Sequence, residues 1–242
     1  MVREPAPVLG RYLGLVLAPV GLLAVNLAAP QLPASSVNGG IAFIAVVSIP
    51  LATATVYFLG QAELTTRALG ITAVLTVALA AILIQIGLAG TPATLAKLFA
   101  SACLGLALAS LLVRPLEVVM IALVIAAVDI YSVAAGPTHV IVEHHQSVLN
   151  AFTLAFHPPG SYGAAQIGAS DFVFFAVFTG AAIRLHLRRR LTWLAMTASF
   201  GVTLALSVGF DTALPALPLL SLSFLMANAD LLRGRDGSPE RE

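Results

Sequence analysis

Long stretches without a charge recur from one end of this chain to the other, and they leave few folds open. A run of about 20 apolar residues is long enough to cross a bilayer as a helix. Inside a bilayer only helices and closed barrels satisfy their own backbone. The runs here are continuous rather than alternating, so the fold class expected is all-α, a polytopic membrane helix bundle of about eight transmembrane helices. Spans are predicted at about 8–29, 39–60, 67–90, 93–113, 116–136, 166–187, 191–209 and 213–231. The stretch 67–113 must hold two helices, with Gly90-Thr91-Pro92 as their turn. Composition agrees: 59% of the 242 residues are hydrophobic, 10% are charged, and the mean hydropathy is +0.99. Soluble domains average about 45–50% apolar and about 25% charged.

Charge sets the orientation. With eight spans both termini share a side, and Arg3, Arg11, Arg67, Arg114, Arg184, Arg188–Arg190, Arg233, Arg235 and Arg241 fall on it. Only Lys97 falls towards the other side. By the positive-inside rule the arginine side is cytoplasmic, in a multi-pass protein of the cell membrane with both termini inside. The loop 137–165 has no Lys or Arg and is expected outside. The net charge of +1 argues neither way on nucleic acid. The arginine runs read as membrane flanks, so no nucleic-acid partner is expected. The apolar start resembles a signal peptide, with small residues at Ala28-Ala29, but is long enough to be a retained helix. Three regions follow: 1–114, N-terminal helices; 115–231, helices carrying the acidic residues; and 232–242, a disordered cytoplasmic tail.

Two acidic residues lie deep in apolar runs: Asp129 in IALVIAAVDIYSVAAG and Asp171 in QIGASDFVFFAVFTGAAI. An ionisable residue within a span is costly and by default marks function. Asp129 lies roughly 10 Å from the outer end of its span, Asp171 roughly 8 Å, at 1.5 Å per residue. Pro215-Ala216-Leu217 opens the last span from that same outer side. Three chemically distinctive segments therefore share one layer. Two close carboxyls cannot easily both ionise, so they share a proton. The ionised one can activate a water while the protonated one donates to a peptide carbonyl. The same pair could instead carry protons in a solute transporter, or be a structural pair bonded to Ser132 and Ser170.

These segments resemble the presenilin and signal peptide peptidase group of intramembrane aspartic proteases, most closely its microbial presenilin homologues. The resemblance covers about 115–230 in the family's order. Val128-Asp129 stands where the family has Tyr-Asp. Gly136-Pro137 and Val142-Glu143 also look presenilin-like. Gly168-Ala169-Ser170-Asp171 stands for Gly-x-Gly-Asp, and Pro215-Ala216-Leu217 is intact. The resemblance implies an aspartic endopeptidase that cuts transmembrane segments of single-span proteins or signal-peptide remnants. Asp129 and Asp171 would be catalytic, Pro215, Ala216 and Leu217 would bind substrate, and Val128, Ser132, Gly168 and Ser170 would support them. Exposed backbone and the Leu217 side chain would shape the pocket. The lipid bilayer and transmembrane-helix substrates are the implied partners, with a homo-oligomer as a further expectation. Val128 removes a phenol, and Ser170 adds a hydroxyl able to bond an aspartate. The family has nine helices; one fewer before the pair would invert it relative to presenilin and turn the long loop outward, as in signal peptide peptidase. A catalytically silent homologue that binds membrane helices is the nearest alternative.

No cofactor or metal is expected. Glu143, His144, His145 and His157 read as solvated loop residues rather than a metal cluster. Gly163, Gly168 and Gly180 could form a small-residue packing seam. Arg188–Arg190 reads as a topology anchor, Lys97 as a snorkelling residue, and Trp193 as packed or interfacial.

Overall fold

The computed structural model describes residues 8–62, 64–88, 90–135 and 150–235. Eight helices of 16 residues or more follow one another among them. They are α1 (Val8–Ala28), α2 (Val37–Gly60), α3 (Thr66–Gln85), α4 (Thr91–Ala109), α5 (Pro115–Ala135), α6 (Ala169–Arg184), α7 (Arg189–Gly209) and α8 (Leu217–Arg235). The polytopic helical bundle expected from the apolar runs is therefore present. Gly136-Pro137, Glu143, His144, His145 and the tail beyond Arg235 lie outside the described residues.

Span count differs from expectation in one respect. Among the described residues, six helices are long and apolar enough to cross a membrane: α1 to α5 and α7. Of the other two, α6 has 16 residues, and α8 has 19, with its apolar part over Leu217–Leu232. Both begin later than expected. Residues expected to begin the sixth span instead form a strand, and those expected to begin the eighth form a loop.

That strand belongs to a hairpin whose other strand lies in the expected loop 137–165. β1 (Thr153–Phe156) pairs antiparallel with β2 (Ala165–Gly168), Thr153 opposite Gly168 and Phe156 opposite Ala165. The hairpin is fastened into the bundle from several sides. Asn26 of α1 donates to the Ala155 carbonyl at 3.0 Å and accepts the His157 N–H at 3.2 Å. Thr94 of α4 accepts the Ala155 N–H. The Gly160 N–H donates to Ala29 O, and a side chain at Gly160 would collide with Ala34. Gly160 also holds φ +71°, a region that favours glycine. Lys97 does not snorkel. It is buried, and its ammonium donates to the backbone carbonyls of Asn150, at 2.9 Å, and Thr153.

α4 and α6 form the centre. α4 is rich in small residues, so its backbone comes close to α6. Gly105 lies against the Val173 carbonyl, and Gly180 against Ala109. Of the expected glycine seam, only Gly180 serves helix packing; Gly163 lies in the hairpin turn and Gly168 beside Asp171. Aromatic side chains fill the space around α6. Phe172 and Phe175 stack on Phe200 of α7, and Phe178 on Phe224 of α8. Interior side-chain bonds lock further pairs: Thr197 to Thr53, and Asn228 to Thr192. In α2, the ring of Pro50 would crowd the carbonyl four residues back. The helix widens into a π turn at Ile44–Ser48, immediately before it.

α5 and α8 form a pair. α5 packs against α8 and makes no comparable contact with any other described element.

Gly105→Ala should lower the thermal stability of the detergent-purified protein by about 1–3 kcal/mol, the usual range for overpacking. Gly70→Ala, where an added Cβ meets nothing within 4 Å, should be neutral or better. Equal stability of the two variants would disprove the close α4–α6 approach.

His157 offers a pH test. Its Nδ1 is buried without a partner among the described residues, and burial holds the imidazole below its ordinary 6.5. The folded state therefore binds fewer protons than the unfolded state. Hairpin stability should be level above the ordinary value and fall as pH drops below it. Amide exchange at 153–156, corrected for intrinsic rates, should rise on acidification in wild type. It should stay level in His157→Gln.

Candidate active site

Both aspartates meet a helix N-terminus, though by different routes. Gly168 ends β2 and is the N-cap of α6, so Asp171 is the helix's third residue. An acidic side chain there turns back to the N-cap N–H and favours the positive end of the helix. The Gly168 N–H lies within electrostatic reach of the Asp171 carboxylate. Asp129 lies in the second half of α5, far from that helix's own start. It meets the first turn of α8 instead: the Leu217 N–H donates to Asp129 Oδ2 at 3.0 Å. Leu217 is the first residue of α8. Pro215 and Pro218 flank it and have no N–H, so the motif aims one backbone donor at the carboxylate.

The two carboxylates open onto one cavity of about 370 Å³. They are close enough to act on each other electrostatically. β2 forms one wall through Gln166, Ile167 and Gly168; Pro215 and Ala216 form another; α7 contributes Phe200, Thr203 and Ser207. The strand gives the site an open, non-helical wall. Irregular backbone within a membrane is tolerated only where it is packed in protein or lines a watered cavity. β2 meets both conditions: one side pairs with β1 and the other lines the cavity.

Of the residues singled out in the sequence, Asp129, Asp171, Gly168, Ser170, Pro215 and Ala216 line this cavity. Leu217 differs from expectation. Its side chain is buried in the core at 5% exposure, and it reaches the site through its N–H. Val128 is 58% exposed on the outer face of α5, away from the cavity. Ser132 is half-buried and is not among the cavity residues. The Ser170 hydroxyl makes no hydrogen bond to either aspartate among the described residues. It lies 3.2 Å from where a Gly168 Cβ would stand. The backbone of Gly168 is ordinary, at φ −58° and ψ 137°. What requires glycine is space: a Cβ there would lie 3.0 Å from Asp171 Oδ2.

Sequence reasoning missed the polar wall made by Thr153, Gln166, Thr203 and Ser207. A signal existed for half of it. Ser199, Thr203 and Ser207 recur every four residues in an otherwise apolar helix, which puts them on one face. Ser207 also accepts the Leu214 N–H at 3.1 Å, bracing the loop that leads into Pro215.

No protein-family model matches the chain. Over 61 residues the chain is 41% identical to a presenilin-like protein of Arabidopsis thaliana, a stretch covering 25% of this chain and 15% of that relative. The likeness is to a presenilin-like sequence and is partial.

Gly168→Ala should slow any reaction that depends on Asp171 by moving its carboxylate a few tenths of an ångström, while substrate affinity changes little. Ser170→Gly, which frees space at the same point, should retain activity. Gly168→Ala with wild-type turnover would show that the close approach has no functional consequence.

Proposed function

We propose that this chain is an intramembrane aspartic protease, with Asp129 and Asp171 as a proton-sharing dyad. The observation that carries the proposal is that both carboxylates, from different helices, open onto one cavity beside the Pro215-Ala216 backbone. The partial likeness to a presenilin-like protein supports the same reading. In this mechanism the ionised carboxylate takes a proton from a water held between the two groups. The water attacks the scissile carbonyl, and the other carboxyl donates its proton to the carbonyl oxygen. The carboxyl that took the water proton then gives it to the amide nitrogen, the other carboxylate takes a proton back from a hydroxyl of the tetrahedral intermediate, the C–N bond breaks, and the pair again holds a single proton.

The substrate is a transmembrane segment, which must become extended before its carbonyl is accessible. The space between β2 and Pro215-Ala216 fits an extended chain, and β2 offers the outer edge of a two-stranded sheet for backbone pairing. Membrane orientation follows the arginine distribution, with both termini cytoplasmic and the hairpin end outside.

Cleavage of a single-span helical reporter by the purified protein tests the proposal. Asp129→Asn and Asp171→Asn should each abolish cleavage while remaining monodisperse, because one carboxyl cannot be acid and base together. The rate should be bell-shaped in pH, with both limbs belonging to the pair. Measurable turnover in either variant would end the dyad mechanism. Proton-coupled solute uptake without reporter cleavage would assign the pair to a transporter.

A further inference from the structure

Lys97 is a cation within an apolar span, and the reaction above does not use it. A charge there is expensive to bury unless it is paired or fully hydrogen-bonded. Lys97 is 9% exposed, and among the described residues its ammonium donates to two backbone carbonyls, those of Asn150 and Thr153. Both lie at the start of the hairpin. From Thr153 the path to the site is short. Thr153 stands opposite Gly168 in the strand register. Its hydroxyl donates to Gln166 Oε1 at 3.2 Å, and Gln166 Nε2 donates back to Asn150 Oδ1 at 2.6 Å. Gln166 of β2 thus links the side chains of Asn150 and Thr153, the two residues whose carbonyls hold the Lys97 ammonium. Gly168, at the end of the same strand, is the residue whose lack of a side chain leaves room for Asp171. Thr153 and Gln166 line the cavity itself.

We propose that Lys97 is a positioning residue for the reaction. Its ammonium gathers the Asn150 and Thr153 carbonyls, fixes β1, and through the pairing with β2 sets where Gly168 and Asp171 stand. The inference rests on the protease reading and deepens it. A short two-stranded hairpin is marginal by itself, so its position depends on anchors supplied from outside. Asn26 and Thr94 hold the far half of β1, at Ala155 and His157. Lys97 holds the half opposite Gly168. The role calls for several donors on a flexible stem that can reach two carbonyls, and the ammonium has three.

The test compares reporter cleavage by full-length wild type, Lys97→Met, Lys97→Arg and Asp171→Asn, each purified in the same detergent. Lys97→Met should lower kcat by about tenfold to a hundredfold, the scale of a misplaced catalytic group, with KM near wild type. Lys97→Arg, which keeps a multi-donor cation, should recover most of kcat. Amide exchange at 165–168 should rise in Lys97→Met and return towards wild type in Lys97→Arg. Should Lys97→Met not purify as monodisperse protein, Lys97→Gln, neutral with a shorter reach, replaces it with the same expectation. Asp171-dependent cleavage with kcat unchanged in the neutral variant overturns the anchor and leaves the protease reading intact. A change in KM alone also overturns it, because it assigns Lys97 to substrate binding. Wild type that fails to cleave, or Asp171→Asn that still cleaves, overturns the protease reading and with it any positioning role.

Discussion

A carboxylate inside an apolar bundle has to be met by fixed dipoles, and helix starts are where a protein keeps them. The first turn of a helix leaves N–H groups without intrahelical partners. α6 supplies its start to Asp171 from within the same chain segment. α8 supplies its start to Asp129 across an interface, through the Leu217 N–H. Each of these helices begins close to the carboxylate it serves: α6 two residues before Asp171, and α8 at the residue whose N–H bonds Asp129.

The segments that precede those two helices then need support, since neither is helical. The hairpin before α6 is fastened by Asn26, Thr94 and Lys97. The loop before α8 is braced by Ser207. Polar side chains inside the bundle thus gather around irregular backbone. Between helices the contacts are small residues and aromatic stacks, as between Gly105 and Val173 or Phe178 and Phe224, with the Thr53–Thr197 and Thr192–Asn228 bonds added.

Much of this was legible in the sequence. Apolar length located eight helices because helix formation in lipid depends on little else. Asp129, Asp171 and Pro215-Ala216-Leu217 stood out because a charge or a proline is conspicuous in such runs. The hairpin was not legible. Thr153–Phe156 and Ala165–Gly168 are four residues each, too short for alternation to register. Their position depends on partners such as Asn26, 129 residues distant from Ala155 in sequence. Lys97 was misread for the same reason: a lone lysine near a helix end suggests a route to water, and only the fold reveals two carbonyls waiting for it. The contribution of Leu217 was hidden differently. Its side chain drew notice as a pocket element, whereas its backbone does the contacting.

The pairing of α5 with α8 has a mechanical consequence. Asp171 is tied to the central post of the molecule through α6, and α8 is tied there too, through Phe178–Phe224 and Asn228–Thr192, whereas Asp129 stands on α5, which reaches the bundle mainly through α8. Tilting α5 against α8 alters the gap between the carboxyls and the Asp129–Leu217 hydrogen bond together, so that one bond holds both. The separation of the two acids is then set at the edge of the bundle, where α5 meets α8, rather than at its centre.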